Sequence, residues 1–150
     1  MFEKSVEELT ELGAQITTAE IAQQPELLRD TLNIYRENKE AIEAFLAEAR
    51  AMGEGRLSVV FTGAGTSDYV GDTCAPYLRH AGNTDLYDFK PIATTDIVSA
   101  PRDFLRAEDP TLVVSFARSG NSPESLAAVA VAKELVHNVK FLNITCAPEG

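Results

Sequence analysis

The chain has 150 residues, 45% of them hydrophobic, which is enough for one compact domain with a core and too few for two ordinary ones. Thirteen Lys+Arg against 23 Asp+Glu leave a net charge of −10 and a pI near 4.6. That balance speaks against binding a polyanion through bulk electrostatics, which normally needs a clustered basic face, so neither nucleic acid nor an acidic membrane is an expected partner. The longest apolar run, Leu126 to Ala132, is seven residues, against the roughly 20 that span a bilayer. Glu3, Lys4, Glu7 and Glu8 stand where a signal peptide needs an apolar stretch, and the expectation is a soluble, cytoplasmic protein. Cys74 and Cys146 form no C-x-x-C pair, and only His80 and His137 could join them as ligands. Neither a metal site nor a disulfide framework is expected.

In chain order, residues 1–56 form a polar helical leader with 12 acids and 6 bases. Ser5 with Glu8 and Thr17 with Glu20 both fit the capping box, so two short helical starts are expected. From Pro25, the apolar residues Leu28, Leu32, Tyr35, Ile42, Phe45, Leu46 and Ala49 recur at spacings of mostly three, four or seven, predicting a long amphipathic helix over about 25–51, stopped by Gly53. Its acidic face is either simply solvated or a surface for a partner subunit.

After Arg56 the period changes. Leu57 to Phe61 reads as a buried strand, Thr62 to Ser67 as a glycine turn, and Asp68 to about His80 as a helix. Tyr87 to Ile92 is a second strand. It ends in Thr94-Thr95-Asp96, a cluster able to cap a short helix through Val98, with Pro101 preventing anything longer. Thr111 to Phe116 is the third strand, followed by the turn Ser119-Gly120-Asn121-Ser122-Pro123 and a helix from Glu124 to about Val136, with Pro123 suited to the first helical turn. Val139 to Thr145 is the fourth strand. Alternating strands and helices predict an α/β fold, a three-layer αβα sandwich with a parallel, doubly wound, flavodoxin-like sheet preceded by N-terminal helices. The composition shift near Gly53-Glu54-Gly55 divides the chain into the leader, 1–56, and a sheet domain, 57–150.

Two strands therefore end in turns rich in glycine and hydroxyls, at the edge of an open parallel sheet where ligands bind. Glycine admits an anion to backbone amides, each helix start carries about half a positive charge, and Ser or Thr hydroxyls donate to phosphate oxygens. Such a site holds a phosphate with few cations, which suits a chain whose only base inside either turn is Arg118. Taken singly, each turn also has a structural reading, as a tight strand-to-helix connection or an N-cap. The first is no dinucleotide fingerprint, since Asp68 stands where the third glycine belongs, and no P-loop, since no Gly-Lys-Ser/Thr follows. No cofactor is expected.

Thr62-Gly-Ala-Gly-Thr-Ser67 and Ser115-Phe-Ala-Arg-Ser-Gly-Asn-Ser-Pro-Glu-Ser125, each after a strand, resemble the sugar isomerase (SIS) domain, a phosphosugar-recognising family. With Thr94 to Val98 between them, Ile144-Thr-Cys146 after them and Thr18-Ala-Glu-Ile-Ala-Gln-Gln-Pro25 in the leader, the string is similar to the narrower group of tagatose-6-phosphate ketose/aldose isomerases, also called galactosamine-6-phosphate deaminase/isomerases. Leu28 departs from it, near where that group has tryptophan. The resemblance implies an SIS-type sheet and phosphosugar contacts from Gly65, Thr66, Ser67, Thr95, Arg118, Ser119, Gly120, Asn121 and Ser122. The hydroxyls of Ser67, Ser119 and Ser122 would donate to the phosphate, and the amides of Ser119, Gly120 and Asn121 would complete the cradle.

Three residues keep two readings each. Arg118 either contacts the ligand or pairs with Glu124, and Thr95 either reaches a sugar hydroxyl or caps a helix. Glu124 is either a base or an acid placed by the helix dipole. Members of the narrower group carry two SIS domains and use a glutamate base and a histidine for ring opening, neither of which can be placed in this chain. His80 and His137 fall at helix ends away from the strand tips. The implied function is the phosphosugar-binding part of an aldose–ketose isomerase, possibly deaminating, acting on a hexose 6-phosphate. The stretch alone would be inactive, in a homo-oligomer. The alternative is a phosphosugar-sensing module without catalysis.

Overall fold

The computed structural model describes residues 2–147. By internal contacts the chain divides into two compact units, Met1–Phe45 and Leu46–Gly150.

In the first unit, helix α1 (Val6–Glu11) starts at Ser5 with the expected capping box: the Ser5 hydroxyl accepts from the Glu8 amide and the Glu8 carboxylate accepts from the Ser5 amide. Gly13 then turns the chain into helix α2 (Gln15–Arg50). The expected second start at Thr17 does not occur, because Thr17 already lies inside α2. Neither does the start at Pro25. That residue sits within the helix, where proline gives up one backbone bond without ending a helix otherwise held on both sides. At the other end α2 closes at Arg50, and its last turns belong to the second unit. There Ala49 is fully buried, and the Glu48 carboxylate accepts from Lys140 Nζ at 2.8 Å, a bond that lowers the Glu48 pKa.

The second unit is a four-stranded parallel sheet of order β2-β1-β3-β4, formed by β1 (Leu57–Thr62), β2 (Tyr87–Pro91), β3 (Thr111–Ala117) and β4 (Val139–Thr145). β1 is buried at all six positions, whereas β4 is nowhere fully buried. That contrast explains why β1 reads as a continuous apolar run while Lys140 and Asn143 are tolerated in the edge strand. Helix α3 (Asp68–Ala81) crosses from β1 to β2. Helices α4 (Thr94–Ser99) and α5 (Pro101–Phe104) cross from β2 to β3, and α6 (Pro123–Leu135) from β3 to β4. Pro101 stops α4 as expected and then serves as the first residue of α5.

Alternation along the strands divides the core between two faces. Val60 and Val113 point to one, where they meet Ile97 of α4, Leu105 after α5, and Ala128 and Ala132 of α6. Phe61 and Val114 point to the other, toward α3. Across it, Phe61 stacks on Phe89 and Phe116, with ring centroids 6.4 and 6.2 Å apart. Helices cover both faces, which makes the domain the three-layer αβα sandwich that the alternation predicts. Ile97 is 1% exposed at the centre of the first face. Ile97→Ala should destabilise the fold by about 2–5 kcal/mol through lost burial and the cavity left behind, read as a lower urea midpoint with an unchanged m-value.

Candidate functional site

β1 and β3 are neighbours, with Thr62 in register with Ser115. The turns that follow them therefore emerge side by side at the carboxyl edge of the sheet. In the first, Gly63 has no room for a side chain: a Cβ there would lie 2.6–2.8 Å from the backbone of Ser67 and Asp68. The close return of the chain sets a single 3₁₀ turn over Gly65–Ser67 immediately before α3. In the second, Gly120 has φ +75°, a conformation that favours glycine. Ser122 then caps α6, its hydroxyl accepting from the Ser125 amide, and Pro123 is the first helical residue as anticipated.

Both turns line one cavity of about 320 Å³, to which the first contributes Ala64 and Ser67 and the second Arg118, Ser119, Gly120 and Ser122. A second, wider depression of about 710 Å³ adds Gly65, Thr66 and Val70 around the same Ser67 and Arg118. Seven of the nine residues expected from the sequence line one or other of these spaces. Asn121 does not; its amide points back to Ser119 Oγ at 3.4 Å. Thr95 lies outside both linings. It is not a cap either, because Ala93 is the N-cap of α4 and no side chain caps that helix. Nor do Arg118 and Glu124 form an ion pair among the described residues; Arg118 is exposed and lines both spaces.

The chemistry of this space is that of an anion site. The N-termini of α3 and α6, helices of 14 and 13 residues, both open onto it, adding about half a positive charge each to that of Arg118. The Ser67 hydroxyl does not cap α3, and the amides of Gly65, Thr66, Ser119 and Gly120 have no hydrogen-bond partner among the described residues. The frame behind these donors is tied down at two points. Thr94 donates to the Gly63 carbonyl through its amide at 2.9 Å and its hydroxyl at 3.1 Å. The Arg118 carbonyl accepts from Thr145 Oγ1 at 2.9 Å and from the Cys146 amide at 3.1 Å.

Glu124 is half-buried and is the one carboxylate in the lining. His80 is exposed at the end of α3, while His137, just past α6, lies 3.5 Å from Glu108. Both are at the C-terminal ends of helices whose starts form the site, on the opposite edge of the sheet. No group of three His, Cys, Asp or Glu among the described residues is placed to hold a metal.

Two features here escape the sequence reading. Thr62 Oγ1 and Asp68 Oδ1 are both buried without a hydrogen-bond partner. Burial, followed by the charges of Asp72 and Asp96, raises the Asp68 pKa. An acid opening a helix reads in sequence as an ordinary favourable placement; burial in the packed domain reverses that, and the charges of Asp72 and of Asp96 from α4 add to it.

No family model matches the chain. Similar proteins are nevertheless found. The D-galactosamine-6-phosphate deaminase AgaS of Shewanella sp. (strain ANA-3) is 42% identical over 146 residues, 97% of this chain and 37% of that protein. Two solved tagatose-6-phosphate ketose/aldose isomerase structures superpose well. One is from Clostridium novyi NT, whose activity is a provisional assignment, with TM-score 0.89 and 41% identity over 100% of this chain and 37% of the other. The second is from Escherichia coli, with TM-score 0.80 and 38% identity over 89% and 35%. An open parallel sheet with paired glycine–serine turns at its carboxyl edge defines an α/β domain with room for an anion between two helix starts, and the sugar isomerase (SIS) family fits this stretch of chain. Within that family its homologues are the galactosamine-6-phosphate deaminases and tagatose-6-phosphate isomerases just described. The chain spans little more than a third of their length.

The raised Asp68 pKa has a definite sign. Between the ordinary value of 3.8 and the folded value, the folded state binds more protons than the unfolded one, so this group's contribution to stability falls as pH rises through that window. Asp68→Asn should therefore raise Tm at pH 7, with the gain shrinking as pH drops toward 3.8 and both states become protonated. Thermal scans of the two proteins across pH measure it, and a gain independent of pH would contradict it.

Proposed function

We propose that this chain is the phosphosugar-anchoring part of an aldose–ketose isomerase, deaminating or not, whose substrate is a hexose 6-phosphate of the tagatose 6-phosphate or galactosamine 6-phosphate kind. The observation that carries the reading is the convergence of two serine-bearing turns and two helix N-termini on one cavity. Its supports are the activities named for proteins 38–42% identical to this chain. In this arrangement Ser67, Ser119 and Ser122 donate hydroxyl protons to the phosphate, the amides of Ser119 and Gly120 add backbone donors, and Arg118 supplies the one full positive charge. The anchored phosphate fixes where C1 and C2 of the sugar lie, so that binding energy far from the reacting carbons serves their orientation. No described feature favours a sensing module over this reading.

Ser119→Ala removes a hydroxyl bonded to a charged group and should weaken hexose 6-phosphate binding by about 1.5–3 kcal/mol, with little change in Tm. Ser58→Ala, on a strand away from the cavity, should have a smaller effect. Titration calorimetry with the phosphorylated and unphosphorylated sugar checks this, and equal affinity for the two ligands would remove the anchoring role.

The isolated chain should bind phosphosugar yet show no turnover. A base must stand within about 2.6–3.2 Å of the proton it moves, and both histidines are on the wrong edge of the sheet. An assay of ketose formation from galactosamine 6-phosphate decides it. Turnover abolished by Glu124→Gln would instead assign the base to Glu124.

A further inference from the structure

The first turn of α6 contains a serine that the phosphosugar reading leaves without a role. Ser125 Oγ lies 2.7 Å from Ser122 Oγ, at the optimum for an O–H···O bond. Ser122 Oγ also accepts, at 3.4 Å, from the Ser125 amide. Ser122 is half-buried, while Ser125 is 9% exposed. Ser125 stands between two spaces, the main cavity and a smaller one of about 150 Å³ behind the second turn, lining both.

A hydroxyl has one proton and two lone pairs. Between Ser122 and Ser125 there is one hydrogen bond and two ways to orient it. If Ser122 donates, its proton is turned inward and a lone pair faces the cavity, which repels an anion. If Ser125 donates, the two lone pairs of Ser122 are taken by the Ser125 amide and hydroxyl, and Ser122 presents only its proton to the cavity. With Ser122 donating, as the structure has it, the buried Ser125 proton has no acceptor among the described residues; an anion that draws the Ser122 proton outward frees Ser122 Oγ to accept it. The second arrangement polarises the Ser122 O–H as well, since a hydroxyl that accepts a bond is a better donor.

We propose that Ser125 is a positioning residue for anion binding: its hydroxyl accepts from Ser122 in the empty cradle and donates to Ser122 when a phosphate monoester enters, so that the Ser122 proton is delivered to the ligand. The inference rests on the phosphosugar reading above and adds to it a residue that does not itself touch the phosphate.

A double-mutant cycle on the full chain tests it, with inorganic phosphate and galactosamine 6-phosphate as calorimetric titrants and Tm as the check on folding. Ser125→Ala should weaken binding of both about tenfold, equivalent to about 1.4 kcal/mol. In a Ser122→Ala background the same substitution should change affinity less than about twofold, because no hydroxyl remains to orient. Equal losses in the two backgrounds, or none in either, would show that Ser125 only packs and would overturn the proposal. Should Ser125→Ala fail to fold, Ser125→Cys, which fills the same space with a weak donor, must show the same coupling. Failure of the wild-type chain to bind either titrant would overturn the phosphosugar reading and this inference together. Normal wild-type binding without coupling would overturn this inference alone.

Discussion

The site depends on the parallel pairing of β1 with β3. Thr62 and Ser115 lie opposite each other in that ladder, so the two turns leave the sheet from adjacent strand tips about 5 Å apart, the spacing of neighbouring strands. Because both strands run the same way, both turns lead into helices whose free amides face the same edge. Had the strands been antiparallel, one helix start would lie at each end of the sheet and no shared cavity would form. Burial of β1 on both faces holds this pairing. The aromatic row of Phe89, Phe61 and Phe116 then carries the packing on one face up to the last residues of β3.

An acidic protein that holds an anion must do so locally. With a net charge of −10 the long-range field opposes a phosphate dianion, but screening limits that repulsion to about 8 Å at physiological salt. Within the cavity the available donors are backbone amides, helix dipoles and serine hydroxyls. The ties from Thr94 to Gly63 and from Thr145 to Arg118 keep the backbone in place, so little ordering entropy is lost on binding. Asp68, beside the first turn, has its pKa raised by burial and then by the charges of Asp72 and Asp96.

Much of the fold is legible in the chain. The strand at Val139–Thr145, the capping box at Ser5 and the proline at the start of α6 follow from local chemistry alone: alternation, a hydroxyl three residues before a glutamate, a missing donor where none is needed. What misled the local reading was a pair of residues with two uses. Thr17 has the cap spacing with Glu20 but lies inside a helix already begun at Gln15, and Pro25 marks no boundary because the helix continues on both sides of it. Thr95, too, has the composition of a cap, whereas the backbone of Ala93 takes that position.

At the site, residue types and spacing already single out two turns able to receive an anion, because glycine and serine before a helix offer the same local donors wherever they occur. Position in space is another matter. That Ser67 and Ser119 share one cavity, that Thr95 and Asn121 lie outside it and that Arg118 lines it without pairing with Glu124 are outcomes of strand order and side-chain neighbours many positions apart. The buried Ser122–Ser125 contact and the proton-holding bias of Asp68 likewise exist only once α6 and α4 are packed against the sheet. Local sequence determined which groups could donate to a phosphate; tertiary structure decided which of them point at the same point in space, because hydrogen bonds and desolvation act over a few ångströms, whatever the separation along the chain.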